Sequence, residues 1–196
     1  MRELRRATNA GDDGRKLVGI TFDDGYADFL HTALPVLEEL GFSATVFAVA
    51  GMLGGSNDWE HVYEPRPQLR LLTAEELREV SRRGMEVGSH GMTHRRLPDL
   101  DSAALEQEVK HSRLVLEEIV GEAVEGFCYP YGSSSDGAVE AVRRAGYNYA
   151  CGWREQDEYH DYELPRVPVL ERDGLLRFEA KLKVYRQYSR IFHRRG

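Results

Sequence analysis

Residues 17–25 read Leu-Val-Gly-Ile-Thr-Phe-Asp-Asp-Gly, an apolar run that ends on two adjacent carboxylates and a glycine. A short apolar run between turn residues reads as a buried strand, and a Gly/Asp-rich stretch bounds this one on its other side. The period then changes. Leu30, Leu34, Leu37 and Leu40 recur on one helical face and stop at Gly41, as a helix C-terminus should. Phe42 to Val49 (FSATVFAV) is β-branched and aromatic, a second strand. Strand, helix and strand in succession make a β/α unit, and the alternation continues along the chain.

Residues 51–70 carry Gly, Pro and aromatics without a period and read as a loop on one side of the sheet. Thr73 followed by Glu76 forms a capping box for a helix that reaches Gly84, and Met85 to Gly88 is a short strand leading to Ser89 and His90. Asp101 or Ser102 caps a longer helix to about Val120, with Leu105, Val109, Leu116 and Ile119 toward the core and Gly121 at its end. Val124 to Tyr129 is a strand, a helix follows at 136–145, and Tyr147 to Cys151 and Leu164 to Leu170 are the last strands. Leu175, Phe178, Leu182, Tyr185 and Phe192 predict a terminal helix with basic residues between them. Six strands and five helices predict one layered α/β domain, most simply a small or incomplete (β/α) barrel.

The composition suits such a domain: 196 residues, 41% hydrophobic, net charge −7. No run approaches the roughly 18 apolar residues of a membrane span. An acidic total argues against nucleic acid as a partner. From Glu171 onward, however, eight basic residues face three acidic ones, a local +5 that leaves −12 on residues 1–170. The opening residues have a charged start without an apolar stretch behind it, which predicts a cytoplasmic protein, or an extracellular one if a leader has been removed. Cys128 and Cys151 lack CxxC spacing and read as buried free thiols.

Chemistry concentrates at three strand ends, where an α/β sheet holds its loops at one mouth. Asp23 and Asp24 repel each other, so both stay ionised only beside something positive, for which a divalent metal is the obvious candidate. Ser89-His90-Gly91-Met92-Thr93-His94 places two imidazoles at i and i+4; on a helical turn that spacing brings both rings to one side. Alone, such a pair most often marks a surface. Next to a strand-terminal Asp-Asp it points to an open hydrolytic metal site. The third end, Tyr129-Pro130-Tyr131-Gly132, is a turn able to aim backbone N–H groups at a developing oxyanion, with Tyr129 and Tyr131 able to stack on a sugar ring. A plain turn with buried aromatics is the equal alternative.

Together, TFDDG at Thr21 to Gly25, the S-H-x-x-x-H segment at Ser89 to His94 and YPYG at Tyr129 to Gly132 resemble the polysaccharide deacetylase family, the metal-dependent esterases and amidases with a NodB homology domain. The resemblance covers Leu17 to Leu170, which divides the chain into a leader (1–16), a deacetylase-type domain (17–170) and a basic amphipathic tail (171–196). It implies a distorted β/α barrel that removes N-acetyl or O-acetyl groups from an acetylated carbohydrate, N-acetyl before O-acetyl. Carried onto matching positions, it implies Asp23 as general base, and Asp24, His90 and His94 as ligands of a divalent metal, zinc first and cobalt, nickel or manganese as alternatives. The Tyr131 N–H would serve the oxyanion.

The chain departs from the family pattern at three points. Where many members carry an Arg that pairs with the catalytic Asp, this sequence has Cys128; Arg166, in Leu164-Pro165-Arg166, is the substitute expected to pair with Asp23. The late Leu-x-x-His motif has no counterpart after Leu164. His160 is the nearest substitute, in a polar loop where exposure is the ordinary reading, so the general acid is unassigned. The family's Asp-x-x-Asp-Trp segment is at best echoed by Trp153 and Asp157. Trp59 and His61 lie in the long loop, which is either a substrate wall, with Trp59 on the sugar, or an aromatic-anchored loop. The tail is expected to pack its apolar stripe on the domain; the sharper alternative is an interfacial helix for anionic lipid or a protein partner. Other function classes are a cyclic amide or imide hydrolase on the same scaffold and a non-catalytic carbohydrate-binding relic. Against the relic stand four intact polar groups that only a ligand would keep together.

Overall fold

The computed structural model describes residue 1 and residues 18–59, 67–152 and 161–192, with side chains as far as residue 183. The rest of the leader, Leu17, His61, Trp153, Asp157, His160 and His193 lie outside the described residues. All six expected strands are present: β1 (Thr21–Phe22), β2 (Thr45–Ala48), β3 (Glu86–Ser89), β4 (Gly126–Cys128), β5 (Tyr149–Gly152) and β6 (Leu164–Pro165). They form one sheet in sequence order, and every neighbouring pair is parallel.

The sheet is curled. Five inter-strand steps of roughly 4.8 Å would set β1 and β6 about 24 Å apart in a flat sheet. Instead Arg166, one residue beyond β6, donates from Nη1 to Thr21 Oγ1 on β1 at 3.1 Å. Only an arc bent toward closure brings those two edges within one side chain's reach, which is the incomplete barrel expected from the sequence.

Alternation along the strands sorts the residues. Phe47, Cys128, Tyr149, Cys151 and Leu164 pack together on the concave side, with Met1 against them. Val46, Ala48, Val87, Phe127, Tyr129 and Ala150 belong to the larger core beneath the helices. Two in-register glycines make room for the interior aromatics. Phe47 pairs with Gly88, and Tyr149 with Gly126. A Cβ on Gly88 would come within 2.5 Å of the Phe47 ring, and one on Gly126 within 2.2 Å of the Tyr149 ring. Deeper in the concavity, the Glu86 carboxyl accepts from Tyr149 Oη (2.6 Å), Thr45 Oγ1 (2.8 Å) and the Met1 ammonium (2.9 Å), so a buried acid is satisfied on every side.

The helices are α1 (Leu34–Glu39), α2 (Ala74–Arg82), α3 (Ser102–Glu106), α4 (Ser112–Val120), α5 (Asp136–Arg144) and α6 (Leu175–Phe192). A π turn, Phe29–Ala33, leads into α1, and a second, Gln107–His111, joins α3 to α4. The caps follow the sequence. Thr73 Oγ1 accepts from the Glu76 N–H while Glu76 accepts from the Thr73 N–H, Asp101 caps α3, and Gly121 ends α4 at φ 73°.

Three expectations need correction. Leu40 is 60% exposed because α1 ends at Glu39 and the fourth leucine falls past the buried face. The last strand stops at Pro165 instead of Leu170. On this edge strand the proline removes no ladder bond, and Val167, Val169 and Leu170 beyond it are exposed. The terminal helix exists, yet Leu175 and Leu176 in its first turn are 83% and 84% exposed and so are not packed on the domain. Among the described residues no helix is long and apolar enough to cross a membrane.

Candidate active site and metal centre

The period of two that buries Phe47 also assembles the site. Asp23 follows Phe22 at the end of β1, His90 follows Ser89 at the end of β3, Cys128 ends β4 and Arg166 follows Pro165 after β6. Contacts among these four place them together at the mouth of the barrel. Arg166 grips Asp23 with both ends of its fork, Nη1 to Oδ1 at 2.6 Å and Nη2 to Oδ2 at 2.7 Å. The same Nη2 lies 3.0 Å from Cys128 Sγ, and that sulfur is 3.7 Å from each Asp23 oxygen. The thiol therefore fills the corner of the pair. Burial pushes the Cys128 pKa up, which keeps it a neutral filler at ordinary pH. Burial also works against ionisation of Asp23, but the Arg166 hydrogen bonds and the nearby His90 outweigh it and hold the carboxyl below its usual 3.8.

Asp24 turns to the other side. Its Oδ1 lies 3.4 Å from His90 Nε2 and 3.2 Å from His94 Nε2. The two imidazoles meet edge to face at 4.9 Å and are nearly fully buried. His90 Nδ1 is 2.7 Å from the Cys128 carbonyl oxygen and donates its proton there, which leaves Nε2, on the Asp24 side, as the nitrogen that a cation would take in place of a proton. One carboxylate oxygen and two imidazole nitrogens, all within 4.8 Å of one another, are the donor set of an open catalytic zinc-type centre, and these residues fit such an ion. The electrostatics agree. Desolvation disfavours a charged His90, yet the Asp24 and Asp23 carboxylates beside it raise its pKa well above 6.5, so the cluster favours a positive charge at its centre.

Backbone strain collects here. Among the described residues only Asp24 (φ 69°), His94 (φ 58°) and Tyr131 (φ 58°) are non-glycine with positive φ. Such residues cost about 1–3 kcal/mol each and cluster at functional sites. All three stand in the positions expected for two metal ligands and the oxyanion donor. The Tyr131 ring packs 4.6 Å from His94, and Trp59, nearly buried, packs against the same imidazole at 4.5 Å. Trp59 is thus anchored at the mouth against a candidate ligand. Tyr129 is not at the mouth. It is fully buried on the helix side, edge to face with Phe127, with its hydroxyl donating to the Tyr162 carbonyl at 3.0 Å. Alternation sends it away from the face that Cys128 occupies, so it does not stack on a sugar.

The sequence motifs miss one residue at the site: Glu108, whose carboxyl reaches the backbone between His90 and His94 from the π turn Gln107–His111, and whose only signal is an acid on the buried face that Leu105, Val109 and Leu116 mark.

A family model described as polysaccharide deacetylase matches residues 10–150. Among curated proteins, the chain is 28% identical over 132 residues to YxkH of Bacillus subtilis, covering 67% of this chain and 43% of that one. It is 23% identical over 181 residues to a poly-beta-1,6-N-acetyl-D-glucosamine N-deacetylase of Staphylococcus aureus, covering 86% of this chain and 60% of that one. The chain thus spans about half the length of these relatives. Among solved structures it is similar to the Streptococcus pyogenes deacetylase PplD in complex with acetate, with a TM-score of 0.77, 22% identity, and coverage of 92% of this chain and 76% of that one. IcaB from Ammonifex degensii follows the same fold, with a TM-score of 0.66, 22% identity, and coverage of 86% and 71%.

Proposed function

Because the chain belongs to the polysaccharide deacetylase family, we propose that it is a metal-dependent hydrolase that removes acetyl groups from the N-acetylated sugars of a polysaccharide. Asp24, His90 and His94 would hold the cation, with zinc favoured by the two imidazoles and one carboxylate. Bound there, a divalent cation supplies a Lewis acid that polarises the acetyl carbonyl and makes water a nucleophile near neutral pH.

The observation that carries this reading is the two-point Arg166–Asp23 pair beside the Asp24–His90–His94 cluster. It divides two adjacent carboxylates between two tasks. Asp24 faces the imidazoles. Asp23 is kept ionised and fixed by Arg166, and each of its oxygens retains a second lone pair. Asp23 is therefore the general base that takes the proton from the attacking water. Tyr131, held at φ 58°, offers its backbone N–H to the negative charge that grows on the carbonyl oxygen. Trp59, packed on His94, forms one wall for the sugar. The Staphylococcus aureus relative suggests the substrate class, a polymer of N-acetylglucosamine.

The test is acetate release from poly-β-1,6-N-acetylglucosamine, from N-acetylglucosamine oligomers and from a generic acetyl ester, using metal-stripped protein reloaded with zinc, cobalt or manganese. Acetate that needs metal and disappears in Asp23→Asn supports the reading. Tight metal binding without acetate from any glycan refutes it.

A further inference from the structure

Glu108 is 3% exposed, and its carboxyl faces the segment that joins the two histidines. Oε2 accepts from the Met92 N–H at 2.8 Å and the Thr93 N–H at 2.9 Å, while Oε1 takes the Thr93 hydroxyl. The fit allows nothing larger at Gly91: a Cβ there would stand 2.9 Å from Glu108 Oε2. A second contact from the same helical stretch lies one turn further on. Ser112, at the start of α4, donates to the Val109 carbonyl at 2.9 Å, and its hydroxyl oxygen accepts from Ser89 Oγ at 2.8 Å; Ser89 Oγ in turn accepts from the Gly91 N–H at 3.2 Å. Every described backbone N–H from Gly91 to Thr93 is thus taken by a side chain.

The register of the helix decides which residues do this. Residues 102–120 would run as one α-helix, but the π turn at Gln107–His111 inserts an extra residue's worth of arc between α3 and α4. Such bulges are frequent at functional sites. Leu105, Glu108, Val109, Ser112 and Leu116 stand at i, i+3, i+4, i+7 and i+11, one face of this helical stretch, and all five are buried.

We infer that Glu108 is the positioning residue of the proposed metal centre. It acts through the backbone that joins the two histidines. By fixing Met92 and Thr93 it sets the separation and tilt of His90 and His94, including the left-handed conformation of His94 (φ 58°), which costs free energy and needs an outside restraint to persist. This inference rests on the metal-centre reading and adds to it the element that shapes the site.

Cobalt titrated into the metal-stripped full chain tests it, because calorimetry gives affinity and the visible d–d bands report ligand geometry. Glu108→Met keeps the length but offers no carboxylate oxygen to the Met92 and Thr93 N–H groups, and Glu108→Ala removes the restraint. Both are expected to weaken cobalt binding about 10- to 100-fold, the range seen when outer-sphere support is lost, and to shift the bands. Glu108→Gln, whose amide carbonyl can take the two N–H groups while its NH2 donates to the Thr93 hydroxyl, should retain more affinity than Glu108→Met. Leu116→Ala, a buried change in the same helix that leaves the Met92 and Thr93 bonds in place, controls for simple destabilisation and should leave affinity and bands unchanged. If Glu108→Ala does not fold, Glu108→Met decides. Affinity within twofold of wild type and unshifted bands in Glu108→Met overturn the inference while leaving the metal centre intact. Wild-type protein that takes up no cobalt refutes the metal centre instead. Hydrogen exchange at Met92 and Thr93 then decides the positioning role: protection lost in Glu108→Met but kept in Leu116→Ala supports it, and equal protection overturns it.

Discussion

Replacing Arg166 by Ala tests how the site keeps two neighbouring carboxylates apart in function. The substitution removes two charge-assisted hydrogen bonds, at 2.6 and 2.7 Å, and leaves Asp23 beside Asp24 with no guanidinium. Breaking a fully buried ion pair costs about 3–5 kcal/mol. The Asp23 side chain is 32% exposed, so water recovers part of that, and about 2–3 kcal/mol is the expected loss of stability. For a chain of this length that lowers Tm by roughly 5–10 °C. The sign with pH follows from the direction of the shift. Asp23 is held below its usual 3.8 in the folded protein, so the pair's contribution is fully present above about pH 4 and fades as acid protonates the folded carboxyl. The wild type and Arg166→Ala should therefore converge in stability at low pH.

Activity separates a positioning role from a purely structural one. A general base is worth about 10²–10⁴ in rate, and Asp23→Asn should forfeit most of it. Arg166→Ala leaves the base in place but free to turn toward solvent or the metal ligands, so kcat for acetate release should fall about 100-fold with KM little changed. Arg166→Lys should recover stability more than rate, because one ammonium cannot satisfy both oxygens in the plane that the guanidinium fixes. The decisive measurement is the double variant. If Arg166 acts through Asp23, Asp23→Asn with Arg166→Ala is no slower than Asp23→Asn alone. Full activity in Arg166→Ala, or losses that multiply in the double variant, would refute the reasoning.

Cys128→Arg alone sets a second guanidinium in the corner where a thiol now lies 3.0 Å from Arg166 Nη2, and should destabilise the fold by about 3 kcal/mol or more in urea unfolding; adding Arg166→Ala should restore much of it. Gly126→Ala drives a methyl to within 2.2 Å of the Tyr149 ring, whose hydroxyl is tethered to Glu86, so a loss of about 1–3 kcal/mol is expected by the same assay, and unchanged stability would mean that the ring is not confined. The Arg70 hydrogen bonds dominate over burial and, with the Thr73 N–H, lower the Glu76 pKa to about 2; its contribution to the α2 cap is present above about pH 4.5 and lost toward pH 2. Glu76→Gln should therefore be less stable than wild type by about 1 kcal/mol at neutral pH and indistinguishable from it near pH 2, as read by thermal melts.

How far the sequence discloses this molecule depends on whether a feature is local. Strands, helices and caps are local, and Thr73, Asp101 and Gly121 act as their positions predict. The order of strands in the sheet follows from their alternation with helices, because right-handed crossovers leave few other arrangements. Tyr129 shows the limit of reading a motif without its pleat. YPYG looks like a continuous aromatic cluster, but period two assigns Cys128 to the interior and Tyr129 to the helix side, and that parity is set by Gly126 lying against Tyr149 across the strand. Counting by twos from Phe47 through each strand would have found it.

Arg166 and Glu108 differ in the kind of long-range fact they represent. Arg166 is legible through the resemblance: the position where many family members carry the arginine that pairs with the catalytic Asp is Cys128 here, and Arg166 stands just past a strand end that a curled sheet returns to β1. The contact between Arg166 and Thr21 comes from the same side chain that grips Asp23, so the two edges of the curled sheet and the ion pair meet in one residue. Glu108 is legible only in part. At i+3 from Leu105 and one residue before Val109 it falls on the buried face that Leu105, Val109, Ser112 and Leu116 mark, so a 3.6 period shows a buried carboxylate in need of a partner. Which partner it takes is not in the pattern, because Met92 and Thr93 receive it through backbone N–H groups that carry no sequence identity. A site residue that acts through another segment's backbone is therefore half hidden: its burial can be counted from the sequence, and its task cannot.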